Sequence, residues 1–140
     1  MLKDLNFVVL DPANITVVDL QNQCSQLTAN MYLSFFRKCT NLVKIVNTKN
    51  LTYIDKYMFD RCNKLEFFDF PESLTYIGEY AFNNTTIKNV NIPASLKILN
   101  KGVFSMCKQL HNIDFSLSTL QTIKKTAFEY CESLREIQLP

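Results

Sequence analysis

The chain has 140 residues, 47% of them hydrophobic and 20% charged, with a formal net charge of +2. That mix suits one compact folded unit and excludes collagen-like, disordered and multi-domain readings. Apolar runs such as Phe7 to Leu10 fall far short of the roughly 20 residues needed to cross a bilayer, so no membrane insertion is expected.

The first ten residues, MLKDLNFVVL, place Asp4 and Asn6 where a secretory signal needs a continuous apolar core. The chain is therefore expected not to enter a secretory route. Phe7 to Leu10 and Ile15 to Leu20 are β-prone runs joined by DPAN, whose Asp and Pro favour a turn, which predicts a β-hairpin cap over residues 1–27. The second arm, ITVVDLQNQ, also has the spacing of a first parallel rung. Cys24 lies outside any register.

From residue 28 the chain repeats. Phe36, Phe59, Phe82, Phe104 and Phe128 are separated by steps of 23, 23, 22 and 24 residues. Three residues after each Phe stands Cys39, Cys62, Thr85, Cys107 or Cys131, followed by Leu42, Leu65, Ile87, Leu110 or Leu134. Ile45, Phe68, Val90, Ile113 and Ile137 come next, and two residues later Asn47, Phe70, Ile92, Phe115 and Leu139. This alternation is that of a half-buried strand. Pro71, Pro93 and Pro140 then end it, because Pro cannot donate to a ladder. A second apolar pair, from Leu51/Ile54 to Leu120/Ile123, opens the return arc, with Met31 as a partial equivalent. The third coil is one residue short.

These residues resemble the leucine-rich repeats, and among them the BspA-like class of bacterial and protist surface proteins. Its pattern LxxIxLPxSLxxIxxxAFxxC is readable in LEFFDFPESLTYIGEYAFNN from Leu65 and in LREIQLP from Leu134. Asn47, Thr85 and Ser116 depart from it. The resemblance implies a solenoid, mainly β or α/β, with short parallel strands on a concave face: about five coils of 22–24 residues over 28–140, the last incomplete. Stacked coils bury what a single coil cannot. The hairpin would be the lid at one end. At the other, the sequence stops in mid-repeat after a strand, so further coils or a second copy of the chain, giving a homodimer, are expected to cover that end. Asn50, Ser73, Ser95 and Ser118 hold the bend position, where short polar side chains are expected to bond the backbone of the next coil. Scarce glycine, two residues in all, fits coils turning on Pro, Ser and Asn.

Little in the chain suggests chemistry. Five Cys cannot all pair internally, no CxxC motif suggests zinc, and four of the five fall on the buried register as packed, reduced thiols. His111 near Asp114 lacks a nucleophile elbow or oxyanion hole, so no enzyme activity, cofactor or metal is expected. Fifteen Lys and Arg against thirteen Asp and Glu, spread along the coils, argue against nucleic acid as a partner. Four sequons, at Asn14, Asn50, Asn83 and Asn84, would matter only in a secretory route.

What remains is the concave face. Alternation points Lys44 and Val46, Phe67 and Asp69, Asn89 and Asn91, Asn112 and Asp114, and Glu136 and Gln138 outwards. Val17 and Asp19 join if the first arm is a rung. Such a face, with Phe67 as anchor, suits a protein or glycan partner. The family resemblance implies adhesion to host or matrix proteins at a cell surface. Reduced thiols fit a cytosolic home better, where the chain would be a scaffold or regulatory repeat assembling with itself.

Overall fold

A computed structural model of the protein describes residues 14–20, 26–27, 36–137 and 139. Among these residues it is a parallel β-solenoid with no α-helix, so the mainly β form is the one adopted. Each coil contributes two short strands: β1 (Val17–Asp19), β2 (Gln26–Leu27), β3 (Lys44–Val46), β4 (Tyr53–Ile54), β5 (Phe67–Phe68), β6 (Tyr76–Ile77), β7 (Asn89–Asn91), β8 (Ile98–Leu99), β9 (Asn112–Asp114) and β10 (Thr122–Ile123). Odd-numbered strands stack as β1-β3-β5 and β7-β9, even-numbered ones as β2-β4-β6 and β8-β10, all parallel.

The second arm of the expected hairpin is the first rung, with Val18 opposite Ile45 and Asp19 opposite Val46. Its first arm, Phe7 to Leu10, lies outside the described residues, as do Cys24 and Met31.

Both strand stacks break at the same place. β5 to β7 and β6 to β8 are each 22 residues apart, whereas the paired strands from β3 to β6 are 23 apart. The residue missing from the third coil is therefore felt as a lost register on both faces. Between β5 and β7 one bond from Thr86 N–H to Leu65 O, 3.1 Å, remains of the ladder.

The third face of the coil holds the stack together across that break. Here the Phe rings lie one above another, with centroids 5.7 Å apart for Phe36/Phe59, 5.2 Å for Phe59/Phe82, 5.6 Å for Phe82/Phe104 and 5.9 Å for Phe104/Phe128. The arc carrying each ring donates to the next coil: Tyr57, Phe59 and Arg61 to the carbonyls of Glu79, Ala81 and Asn83, then Tyr80, Phe82 and Asn84 to those of Lys101, Val103 and Ser105. The break in the strands leaves this ladder intact.

These arcs also correct the expectation about glycine. Residues two before the ring (Tyr57, Tyr80, Gly102, Thr126) and two after it (Lys38, Arg61, Asn84, Met106, Tyr130) all have φ between 55 and 62°. The tight bends are left-handed residues, one of them glycine, and not Pro, Ser and Asn alone. A non-glycine residue in that region costs about 1–2 kcal/mol. Ring packing offsets it at two of these positions: Tyr57 and Tyr80 stack at 5.5 Å and 3°, with Arg37 over Tyr57 and Lys101 over Tyr80.

Two further expectations change direction. Ser73 donates to the carbonyls of Lys49 and Leu51, and Ser95 to that of Leu74, so both bond the preceding coil and not the next. Ser118 accepts from Leu120 N–H within its own coil. At the departure from the pattern, Asn47 adopts φ 58° and turns outwards, its amide donating to Asp19 Oδ1 at 2.7 Å. Thr48 takes the buried place and donates to Asp69 O at 2.7 Å.

Cys39, Cys62, Cys107 and Cys131 are buried thiols in no disulfide, as their register predicts. They are more than small hydrophobes. Cys62, Cys107 and Cys131 donate to the carbonyls of Phe36, Phe82 and Phe104 of an earlier coil at 2.8, 3.1 and 3.1 Å, a second bond for oxygens that also accept from Cys39 N–H, the Thr85 hydroxyl and Cys107 N–H of their own coils. Thr85 departs from this, its hydroxyl donating to Phe82 O within its own coil and lying against Cys107 Sγ. Burial pushes the Cys107 thiol up from 9.0 to about 11, against a lowering contribution from Thr85. A thiol raised in the folded state stabilises fully below its ordinary pKa and loses that contribution as pH climbs through the folded value. The melting temperature should therefore fall between about pH 9 and 11, and Cys107→Thr, copying the third coil, should flatten part of that fall. Parallel slopes for parent and variant would contradict it.

Candidate protein-binding face

The odd-numbered strands form the concave face, and their alternation does what the sequence implies. Ile45, Phe68 and Val90 are buried, while Val17, Asp19, Lys44, Phe67, Asp69, Asn89, Asn91, Asn112, Asp114 and Glu136 are exposed and Val46 is half-buried. Asp69 lies just beyond β5, Glu136 belongs to no strand, and Gln138 is outside the described residues. Register aligns Val17, Lys44 and Phe67 in one column and Asn89 with Asn112 beyond the break. Phe67 is 55% exposed on this mainly polar surface, in the same column as Val17, which is 46% exposed.

Just past the strand ends a groove of about 310 Å³ crosses three successive coils. Asp69, Asn91 and Asp114 line it together with Pro71, Pro93 and Leu117, above the buried Phe70 and Ile92. Glu72 and Ser116 complete it. The alternation rule found the first three; the others lie beyond the strands, where that rule is silent. Their signal was the Pro that ends each strand.

Each carboxylate here is held differently. Asp114 Oδ1 accepts from Ser116 N–H at 2.8 Å, and that bond holds its carboxyl below the usual carboxylate range. Glu72 accepts from Ala94 N–H at 3.1 Å. Asp69 accepts through its backbone carbonyl from the Thr48 hydroxyl, and the residue is exposed and lines the groove. Among the described residues, ion pairs join Arg37 and Arg61 to Asp60, Lys88 to Glu66, and Lys108 to Glu132. None reaches the groove.

Asp60 was not foreseen. It is 1% exposed, and its two oxygens accept from Arg37 Nε at 2.8 Å and Asn83 Nδ2 at 2.7 Å, one from each neighbouring coil. The position after each ring is therefore a polar rung. It is a structural one, since the bonds occupy the carboxylate from both sides.

His111 Nδ1 faces Gln109 O at 3.1 Å, and Asp114 is committed to Ser116, so the two form no dyad. Among the described residues, no three His, Cys, Asp or Glu side chains are grouped to hold a metal, and no helix is long and apolar enough to cross a membrane. In the last coil apolar positions lie open: Ile137 is 38% and Leu139 61% exposed.

Comparison with known proteins agrees with this geometry. A leucine-rich repeat protein of Bacteroides ovatus ATCC 8483 is 32% identical, with a TM-score of 0.70 over 81% of this chain and 28% of that one. The leucine-rich repeat protein of T. pallidum superposes with a TM-score of 0.67 at 22% identity, over 89% of this chain and 67% of that one. A leucine rich cell surface protein of Faecalibacterium prausnitzii A2-165 gives 0.56 at 17% identity, over 86% and 38%. The chain thus spans between a quarter and two thirds of the proteins it matches. No curated protein matches it. A model of the BspA type leucine rich repeat region matches residues 29–140 in six copies, and the chain belongs to that family.

Proposed function

We propose that this chain is a non-catalytic binding module that recognises a partner protein through its concave strand face, with Phe67 as the anchor. Repeats of this family and fold are typically non-catalytic interaction modules. The observation that carries the reading is Phe67 itself: a large ring 55% exposed on a rigid sheet, between Lys44 and the groove at Asp69. Exposed aromatics fixed on rigid elements are the residues that dominate interface energies when covered.

Adhesion at a cell surface is the setting the family suggests, and recombinant protein should bind cell-surface or matrix proteins in a saturable way. Phe67→Ala with Asp69→Lys should weaken that binding about a hundredfold, the effect of losing about 2–3 kcal/mol at a hot spot. Both side chains are exposed, so the fold should survive. Saturable binding that the double variant leaves unchanged would remove the concave face from the reading.

A further inference from the structure

The groove at the strand ends has a chemistry of its own. It combines apolar contact from Pro71, Pro93 and the 68% exposed Leu117 with the carboxylates of Asp69, Glu72 and Asp114. No Lys or Arg lines it, although the chain as a whole carries a net charge of +2 and its other described ion pairs set Lys or Arg beside the acid. A surface of that kind lacks only cations with apolar stems, which Lys and Arg side chains supply.

Spacing narrows the occupant. Asp69 and Asp114 are two coils apart, and the rings of the same coils step by 5.2 Å from Phe59 to Phe82 and 5.6 Å from Phe82 to Phe104, so the two residues are separated by about 10 Å along the stack. A polyproline-type segment rises about 3.1 Å per residue and returns to the same side every third residue, about 9.3 Å on.

We propose that the groove takes an extended segment of the partner protein bearing two Lys or Arg residues three positions apart, one paired with Asp69 and the other with Asp114. The two residues between them cross Asn91, whose side-chain amide bonds their backbone. Leu117 and the two prolines cover the stems. This inference rests on the protein-binding reading above and supplies the class of partner.

The test is a titration of the isotope-labelled chain, followed by amide NMR, with the peptide Ala-Arg-Pro-Ala-Arg-Pro-Ala. Saturable shifts should be confined to residues 69–72, 91–94 and 114–118, and should disappear when both Arg are replaced by Gln. Asp69→Asn combined with Asp114→Asn should weaken the peptide about tenfold, as expected for two pairs of modest strength. Asn at 114 still offers an oxygen to Ser116 N–H, so the loop is retained. Raising salt from about 0.05 to 0.5 M should weaken binding as well. No shifts, shifts elsewhere, or binding indifferent to the Asn pair would overturn the inference. Partner binding that depends on Phe67 but not on Asp114 would overturn it while leaving the concave-face reading standing. Loss of dependence on both would remove the two together.

Discussion

Phe82→Ala should destabilise the protein by about 3–5 kcal/mol, the range for truncating a fully buried aromatic ring. Phe82 is 0% exposed and touches rings on every side: Phe59 at 5.2 Å, Phe104 at 5.6 Å, Phe68 at 5.0 Å and Phe70 at 5.2 Å. Its position makes the effect more than a loss of area. Both strand stacks are interrupted beside its coil, so rings and arc bonds carry the coupling between the N-terminal and C-terminal coils. In a stack whose stability is a sum over neighbouring interfaces, weakening the interface that already lacks strand pairing divides the array. Urea unfolding of the variant should therefore lose its single transition and show two, where Phe59→Ala, within the continuous β1-β3-β5 stack, shifts one transition as a whole. A single transition shifted by less than about 1 kcal/mol would show that the cavity collapses and that the coupling lies elsewhere.

How far the sequence revealed this structure depended on whether a feature recurs. The Phe ladder and the strand positions repeat at a period that stacking alone imposes, and Ile45, Phe68 and Val90 are buried where the period places them, while Ile113 is half-buried and Ile137 exposed. The short third coil was visible as a step of 22, but its consequence was not, because register is a property of two coils together. Direction was hidden for the same reason: Ser73 could bond forward or back, and its hydroxyl donates back, to Lys49 and Leu51. The left-handed bends were hidden by their composition. Lys38, Tyr57, Arg61 and Met106 have no preference for positive φ; their place two residues from a ring imposes it.

The candidate site divides in the same way. Lys44, Phe67, Asn89 and Asn112 follow from alternation along a strand. The groove does not, because Glu72, Leu117 and the prolines lie where the strand has ended and the local pattern stops. Nor does the thiol ladder's bonding follow from the usual behaviour of buried Cys. It follows from the Phe carbonyls, which accept one bond from three residues on in their own coil and keep a second lone pair for the next coil's sulfur.

Gly78→Ala should cost about 3 kcal/mol, although it adds one methyl group. Gly78 follows β6, and its N–H donates to Ile54 O of the coil before at 2.8 Å. A Cβ there would stand 2.3 Å from Lys56 N and 2.7 Å from Asp55 C, which are backbone atoms. Rotation of a side chain cannot relieve that clash. One of the two coils must move, and moving it lengthens the Ile54 bond and disturbs the pairing of Ile54 with Ile77. Gly102 offers a control. Its Cβ would meet the Tyr80 ring at 2.2 Å, and a ring can swing away, but its φ of +61° strains any substituent by about 1–2 kcal/mol. The two penalties differ in kind. Trimming Tyr80 to Ala should recover part of the loss in Gly102→Ala and none of the loss in Gly78→Ala, measured as the non-additivity of the double variants in urea unfolding. Recovery of Gly78→Ala by a side-chain truncation at Lys56 would show that the close approach is set by the side chain and not by the backbone of that coil.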